Sequence, residues 1–194
     1  FVIDGDPTAW STLLWPHMWS LYSYNVSLNG KRVYTYNFQL QNHMKSSGVG
    51  VLCHEMFHSL GAPDLYHYSS TYSYLQPAYK WDLMEWDLNP PQHMTAYMKW
   101  KYGKWIASIP EINATGTYSL NPLTSATNNC YRIPSPLSAT EYFVVEYRKK
   151  TTTFENGLPG DSPRPGMACH FDVQSPCWTR RSVPILAGRQ SSDG

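Results

Sequence analysis

The sequence predicts an α+β domain in which one helix packs on a β-sheet and a β-rich part follows. Three observations carry this. Residues 49–60 set Val49, Leu52, Cys53, Met56, Phe57 and Leu60 on one broad face at a helical period, an apolar anchoring side. Before them, β-formers alternate in Val33-Tyr34-Thr35-Tyr36-Asn37-Phe38, close to the turn signal Asn29-Gly30. From Lys104 onward Pro, Thr, Ser and Asn increase, and short β runs replace helical ones.

In chain order, Leu13-Leu14-Trp15-Pro16-His17-Met18-Trp19 and the segment beyond Asn29-Gly30 are expected to form a hairpin, the sheet for the helix. Ser46 and Ser47 are expected to cap that helix, which runs into His54 and stops at Gly61-Ala62-Pro63. The tyrosine- and serine-rich stretch to Tyr79 reads as a surface loop, and Asn89-Pro90-Pro91 as a turn. Met94, Tyr97, Met98 and Lys101 predict a second helix from Gln92 to Tyr102, ending at Gly103. Strands are expected at Ile106–Ile109, Thr117–Leu120, Tyr131–Ile133, Tyr142–Tyr147 and Met167–Val173. Glu141 to Arg148 is apolar on both faces in its middle, as a central strand is. Glu146 and Arg148 share one side of it, where a structural pairing is expected. Residues 1–103 are expected to form the core that carries the site, with 104–194 its β-rich continuation in the same domain. No internal repeat is present.

A length of 194 residues suffices for one well-buried domain. The net charge of +1, with no basic run, excludes an electrostatic footprint for nucleic acid or an anionic membrane. Fifteen Tyr and 8 Trp suit β-structure and adhesive clefts. No stretch approaches the ~20 apolar residues of a membrane span. The chain starts at Phe1 and ends at Ser191-Ser192-Asp193-Gly194, so an excised piece or mature fragment is expected. None of Cys53, Cys130, Cys169 and Cys177 forms a C-x-x-C pair, which disfavours a structural zinc knuckle. Cys53 reads as a small buried hydrophobe, and Cys169 with Cys177 is a candidate disulfide in an exported protein. Asn25-Val26-Ser27 and Asn113-Ala114-Thr115 are glycosylation sequons by spelling.

The chemistry concentrates in His54-Glu55-Met56-Phe57-His58-Ser59-Leu60-Gly61-Ala62-Pro63-Asp64. On a helix, residues four apart lie on one face, so the two imidazoles can converge on one ion while Glu55 projects beside them. Zinc with neutral histidine ligands and an open position brings its bound water near neutral pKa, and a neighbouring carboxylate can then take the proton. Gly61 can adopt positive φ and turn the chain back, so that Asp64 supplies a third ligand. A bare His-Glu-x-x-His also occurs on helices that bind nothing; Gly61, Asp64 and the amphipathic frame raise this one above that background. His17, His43, His67 and His93 stand singly, where a hydrogen-bonded role is the default. Asp4 and Asp6 are two carboxylates, too few for an EF-hand-like calcium loop.

These residues resemble a family. His54-Glu55-x-x-His58-x-x-Gly61-x-Pro63-Asp64-Leu65-Tyr66, followed by Trp81-Asp82-Leu83-Met84, is similar to the secreted metallopeptidases typified by immune inhibitor A, within the wider metzincin group. Further matches in order are Trp15-Pro16-His17, Ala96-Tyr97-x-Lys99, Gly103-Lys104-Trp105, Glu141-Tyr142-Phe143, Glu146-x-Arg148, Leu158-Pro159-Gly160, Gly166-Met167 and His170-x-Asp172, so the resemblance covers most of residues 13–173. It implies a metzincin-like zinc peptidase domain, secreted, acting on polypeptides, with an active-site helix on a β-sheet. It implies one catalytic Zn²⁺ on His54, His58 and Asp64, with Glu55 as general base and acid, and Met84 in a methionine-containing turn beneath the site. Three positions depart from the pattern. Trp86 stands where many members carry a tyrosine, with Tyr66 the candidate substitute; Phe57 replaces a glycine; His67 replaces an acidic residue, so calcium in that loop is not supported. The expected function is a zinc-dependent endopeptidase cutting extracellular proteins. The alternative is a catalytically weak or inactive zinc-binding module, because a metzincin upper sheet normally has several strands and the N-terminal half here is short.

Overall fold

The computed structural model describes residues 2–6, 8 and 14–159, and the backbone of 166–172. A first sheet has the order β1-β5-β2. Its centre is β5 (Thr35–Leu40), which pairs in parallel with β1 (Val2–Ile3) and antiparallel with β2 (His17–Ser20) in the register Met18↔Asn37 and Ser20↔Thr35. The Asn29-Gly30 turn closes a different pair from the one expected. It joins β3 (Val26–Leu28) to β4 (Lys31–Val33) with Leu28 opposite Lys31, and both turn residues have positive φ, 50° and 73°. The two-residue turn fixes the register of its own hairpin. The pairing of β2 with β5 is then a separate, longer-range contact.

The single helix expected from Ser46 is two helices, α1 (Gln41–Ser47) and α2 (Gly50–His58). Ser46 and Ser47 form the last turn of α1, not a cap. The break is Gly48, whose φ of 74° ends α1 and whose N–H donates to the Met44 carbonyl at 3.0 Å. A Cβ on Gly48 would come within 2.2 Å of the Asn89 side chain, so the break also admits the 89 turn.

The buried side of α2 differs from the expected one as well. Val49, Met56 and Leu60 are exposed, whereas Gly50, His54 and Phe57 are buried. The cause is the 82–88 segment. Gly50 lies so close to it that a Cβ would meet the Leu88 carbonyl oxygen at 2.2 Å, and the Leu83 carbonyl accepts from His54 at 2.9 Å. A backbone that satisfies polar groups covers the histidine side. Phe57 completes that face by stacking on Trp105 at 5.5 Å.

The second expected helix begins later, as α3 (Ala96–Met98) continued by π-helical Lys99–Gly103, with Lys104 left-handed at φ 56°. Its end at Gly103 was expected; its start at Gln92 was not. Residues 92–95 stay outside the helix, and carboxylates from elsewhere take amides at its start. His93 N–H donates to Glu155, Thr95 N–H to Asp82 and Ala96 N–H to Glu146.

A second, antiparallel sheet has the order β6-β7-β8, with β7 (Tyr142–Arg148) central between β6 (Cys130–Pro134) and β8 (Gly166–Asp172). Strands expected at 106–109 and 117–120 are absent. Pro110 and Pro122 follow those stretches and lack an N–H, and the chain there meets the sheet only at isolated bridges, Glu111 with Arg132 and Pro122 with Tyr147. The buried cluster joins Phe57, Leu83, Met84 and Met98 with Ile109, Leu123, Cys130 and Val144.

Glu146 and Arg148 pair as expected, at 3.1 Å, in full burial. Arg148 also reaches Glu155 at 2.7 Å and the carbonyls of Trp81 and His93 at 2.7 and 3.1 Å. One guanidinium therefore ties β7 to the 81–93 stretch that supports α2.

Candidate metal centre

Helix α2 presents His54 and His58 one turn apart, and the turn at Gly61, with φ 91°, returns the chain so that Asp64 reaches them. Asp64 Oδ1 lies 2.9 Å from His54 Nε2 and 3.2 Å from His58 Nε2. Each imidazole gives its other nitrogen to a backbone carbonyl, His54 Nδ1 to Leu83 at 2.9 Å and His58 Nδ1 to Ala62 at 2.7 Å. A carbonyl can only accept, so Nδ1 of each ring carries a proton and Nε2 is the atom turned to Asp64. This is how metal-ligating histidines are oriented.

The donor set fits a zinc ion. Two imidazole nitrogens and a carboxylate suit zinc, and a tetrahedron with ~2.0–2.1 Å bonds has ligand–ligand edges of about 3.3 Å. The two Nε2–Oδ1 separations, 2.9 and 3.2 Å, are close to that edge. The three ligand atoms lie within 4.8 Å of one another.

Electrostatics follow from the same contacts. Burial alone would raise the Asp64 carboxyl, but hydrogen bonds from His54, His58 and Tyr68 hold it well below the usual carboxylate range. Burial opposes charge on His54 and His58, yet their bonds to Asp64 and to the carbonyls leave both above the ordinary imidazole value. Glu55 is raised by burial, a shift the two histidines partly offset. Its Oε2 accepts the Met18 N–H at 2.7 Å, a bond that crosses from α2 to β2, the outer strand of its sheet.

Met84 is fully buried. Its N–H donates to Asp82 at 2.8 Å and its carbonyl accepts from Leu65 at 2.9 Å, so its turn braces the residue next to Asp64 while its neighbour Leu83 braces His54. Tyr66 lies over the His54 ring at 6.3 Å, nearly parallel, and burial with the Asp64 charge pushes its phenol up. Trp86 packs against Tyr79 at 5.8 Å. Of the lone histidines, His17 bonds the Trp15 carbonyl at 2.7 Å and the Tyr36 hydroxyl at 3.3 Å. Asp6 accepts from the Asn42 amide at 3.0 Å. Cys53 and Cys130 are free; the Cys169–Cys177 pair lies outside the described residues.

Sequence reasoning missed Tyr68, whose hydroxyl donates to the second Asp64 oxygen, and the Met18 amide. Tyr68 had a weak signal, a tyrosine four residues past the expected ligand. The Met18 contact, 37 residues from Glu55, had none.

No protein-family model, curated protein or solved structure matches this chain. Among the described residues no helix is long and apolar enough to cross a membrane.

Proposed function

We propose that this chain is a zinc-dependent endopeptidase of extracellular proteins, with His54, His58 and Asp64 as ligands and Glu55 as general base and acid. The observation that carries the reading is the convergence of two Nε2 atoms on a carboxylate oxygen at 2.9 and 3.2 Å. Three protein donors leave a fourth position open, as catalytic zinc centres do. Zinc bound there would polarise a scissile carbonyl and supply a water of near-neutral pKa. Glu55 keeps Oε2 on the Met18 amide and has Oε1 to take a proton and return it to the leaving amine. Its burial, which raises it above an ordinary carboxylate, suits that exchange near neutral pH. The outer edge of β2 would hold an extended polypeptide beside Glu55. Met84 would act by packing, and the Tyr66 phenol is the candidate donor to the developing oxyanion in place of the one Trp86 lacks.

Glu55→Gln tests the mechanism: zinc stoichiometry stays at wild type while casein cleavage falls by about 10²–10⁴-fold. Undiminished cleavage would remove Glu55 from the chemistry. One observation favours a second reading, metal binding without turnover: the Glu55 carboxylate is already engaged by a backbone amide. Bound zinc with no chelator-sensitive cleavage in the wild type would select it.

A further inference from the structure

A cavity of about 440 Å³ lies between the π-helical turn and the loop before β6, lined among others by His93, Lys99, Trp105, Leu123, Ser125 and Asn129. Lys99 is only 8% exposed, and among the described residues no hydrogen bond or ion pair reaches its ammonium. Acidic groups near it are already satisfied. Glu146 is held by Arg148 and the Ala96 amide, Glu155 by Arg148 and the His93 amide, and Asp82 by the Met84 and Thr95 amides. Burial and the Arg148 charge hold Lys99 below the ordinary lysine value, and the nearby Glu146, Glu155 and Asp82 carboxylates only partly offset them.

A buried ammonium without a hydrogen-bond acceptor is costly, and the cavity is the open side from which an acceptor can come. Its walls are of two kinds. Lys99, Ser125 and Asn129 offer donors, whereas Trp105, Ile106 and Leu123 offer apolar surface. We propose that this cavity binds a small carboxylate with an apolar body, its carboxylate on the Lys99 ammonium and its body against Trp105. The site is separate from the His54 cluster and holds whatever that cluster does, although Trp105 also stacks on Phe57 of α2.

Hexanoate is the probe, with hexanamide as its uncharged counterpart, added to the zinc-free full chain. The Trp105 indole N–H resonance reports binding at the cavity itself. Hexanoate is expected to shift it saturably, with affinity at least about tenfold weaker for hexanamide and for Lys99→Met. No saturable shift, equal binding of hexanamide, or undiminished binding by a folded Lys99→Met chain would each overturn the proposal. The hexanamide comparison uses the unaltered chain, so it decides even if the variant fails to fold.

Discussion

Around Arg148, Glu146 and Glu155 have their oxygens held by N–H donors, the guanidinium at 3.1 and 2.7 Å and the amides of Ala96 and His93. Around Asp64 the neighbours are two Nε2 atoms at 2.9 and 3.2 Å, whose Nδ1 atoms are committed to carbonyls, and the Tyr68 hydroxyl. The first cluster is fully buried and holds its own cation, whereas the second is buried only at His54 and gathers two imidazoles and the Tyr68 hydroxyl around one carboxylate. A guanidinium built into the chain closes the first cluster, while the second is a set of three side chains that could hold a metal ion.

Breaking the matched cluster should have the largest effect. Arg148→Met leaves two buried carboxylates unpaired and is expected to lower stability by about 3–5 kcal/mol in urea unfolding. His58→Ala, made in the metal-free chain, is expected to cost about 1 kcal/mol. Similar losses for the two would erase the contrast.

Gly50→Ala comes next. Its Cβ would sit 2.2 Å from the Leu88 carbonyl oxygen, so α2 must shift off the segment that orients His54. An unfolding cost of about 1–3 kcal/mol is expected, together with weaker zinc binding. The histidine spacing was legible because a helix repeats it locally, and Gly61 because a turn needs its freedom. The break at Gly48 and the burial of the histidine side were not, because Asn89 and Leu88 impose them from a distant part of the chain. Strands were legible at 131–133 and 142–147, where β-formers run unbroken. At 106–109 and 117–120 the same residue types act as single anchors before a proline.

A smaller effect should come from Tyr68→Phe, which removes the donor to the second Asp64 oxygen. Zinc affinity is expected to drop about tenfold by calorimetry while the fold is kept. An unchanged affinity would make the phenol a bystander.

Two further effects are in pH. Burial, with the Lys99 charge beside it, holds His93 down to about 4 against 6.5 for a free imidazole, so its contribution is present above pH 6.5 and is lost as pH falls toward 4. Burial pushes Glu85 up to about 7 from 4.5, so its contribution is present below pH 4.5 and is lost as pH rises through 7. In Tm-against-pH scans His93→Gln should flatten the acid side and Glu85→Gln the alkaline side. Scans parallel to wild type would show that neither group titrates on folding.

Anomalous diffraction at the zinc edge, on crystals grown with zinc, tests the metal centre most directly. The expected result is one ion about 2.0–2.2 Å from His54 Nε2, His58 Nε2 and an Asp64 oxygen. A map with no ion there, and with both imidazoles still bonded to Asp64, would contradict it.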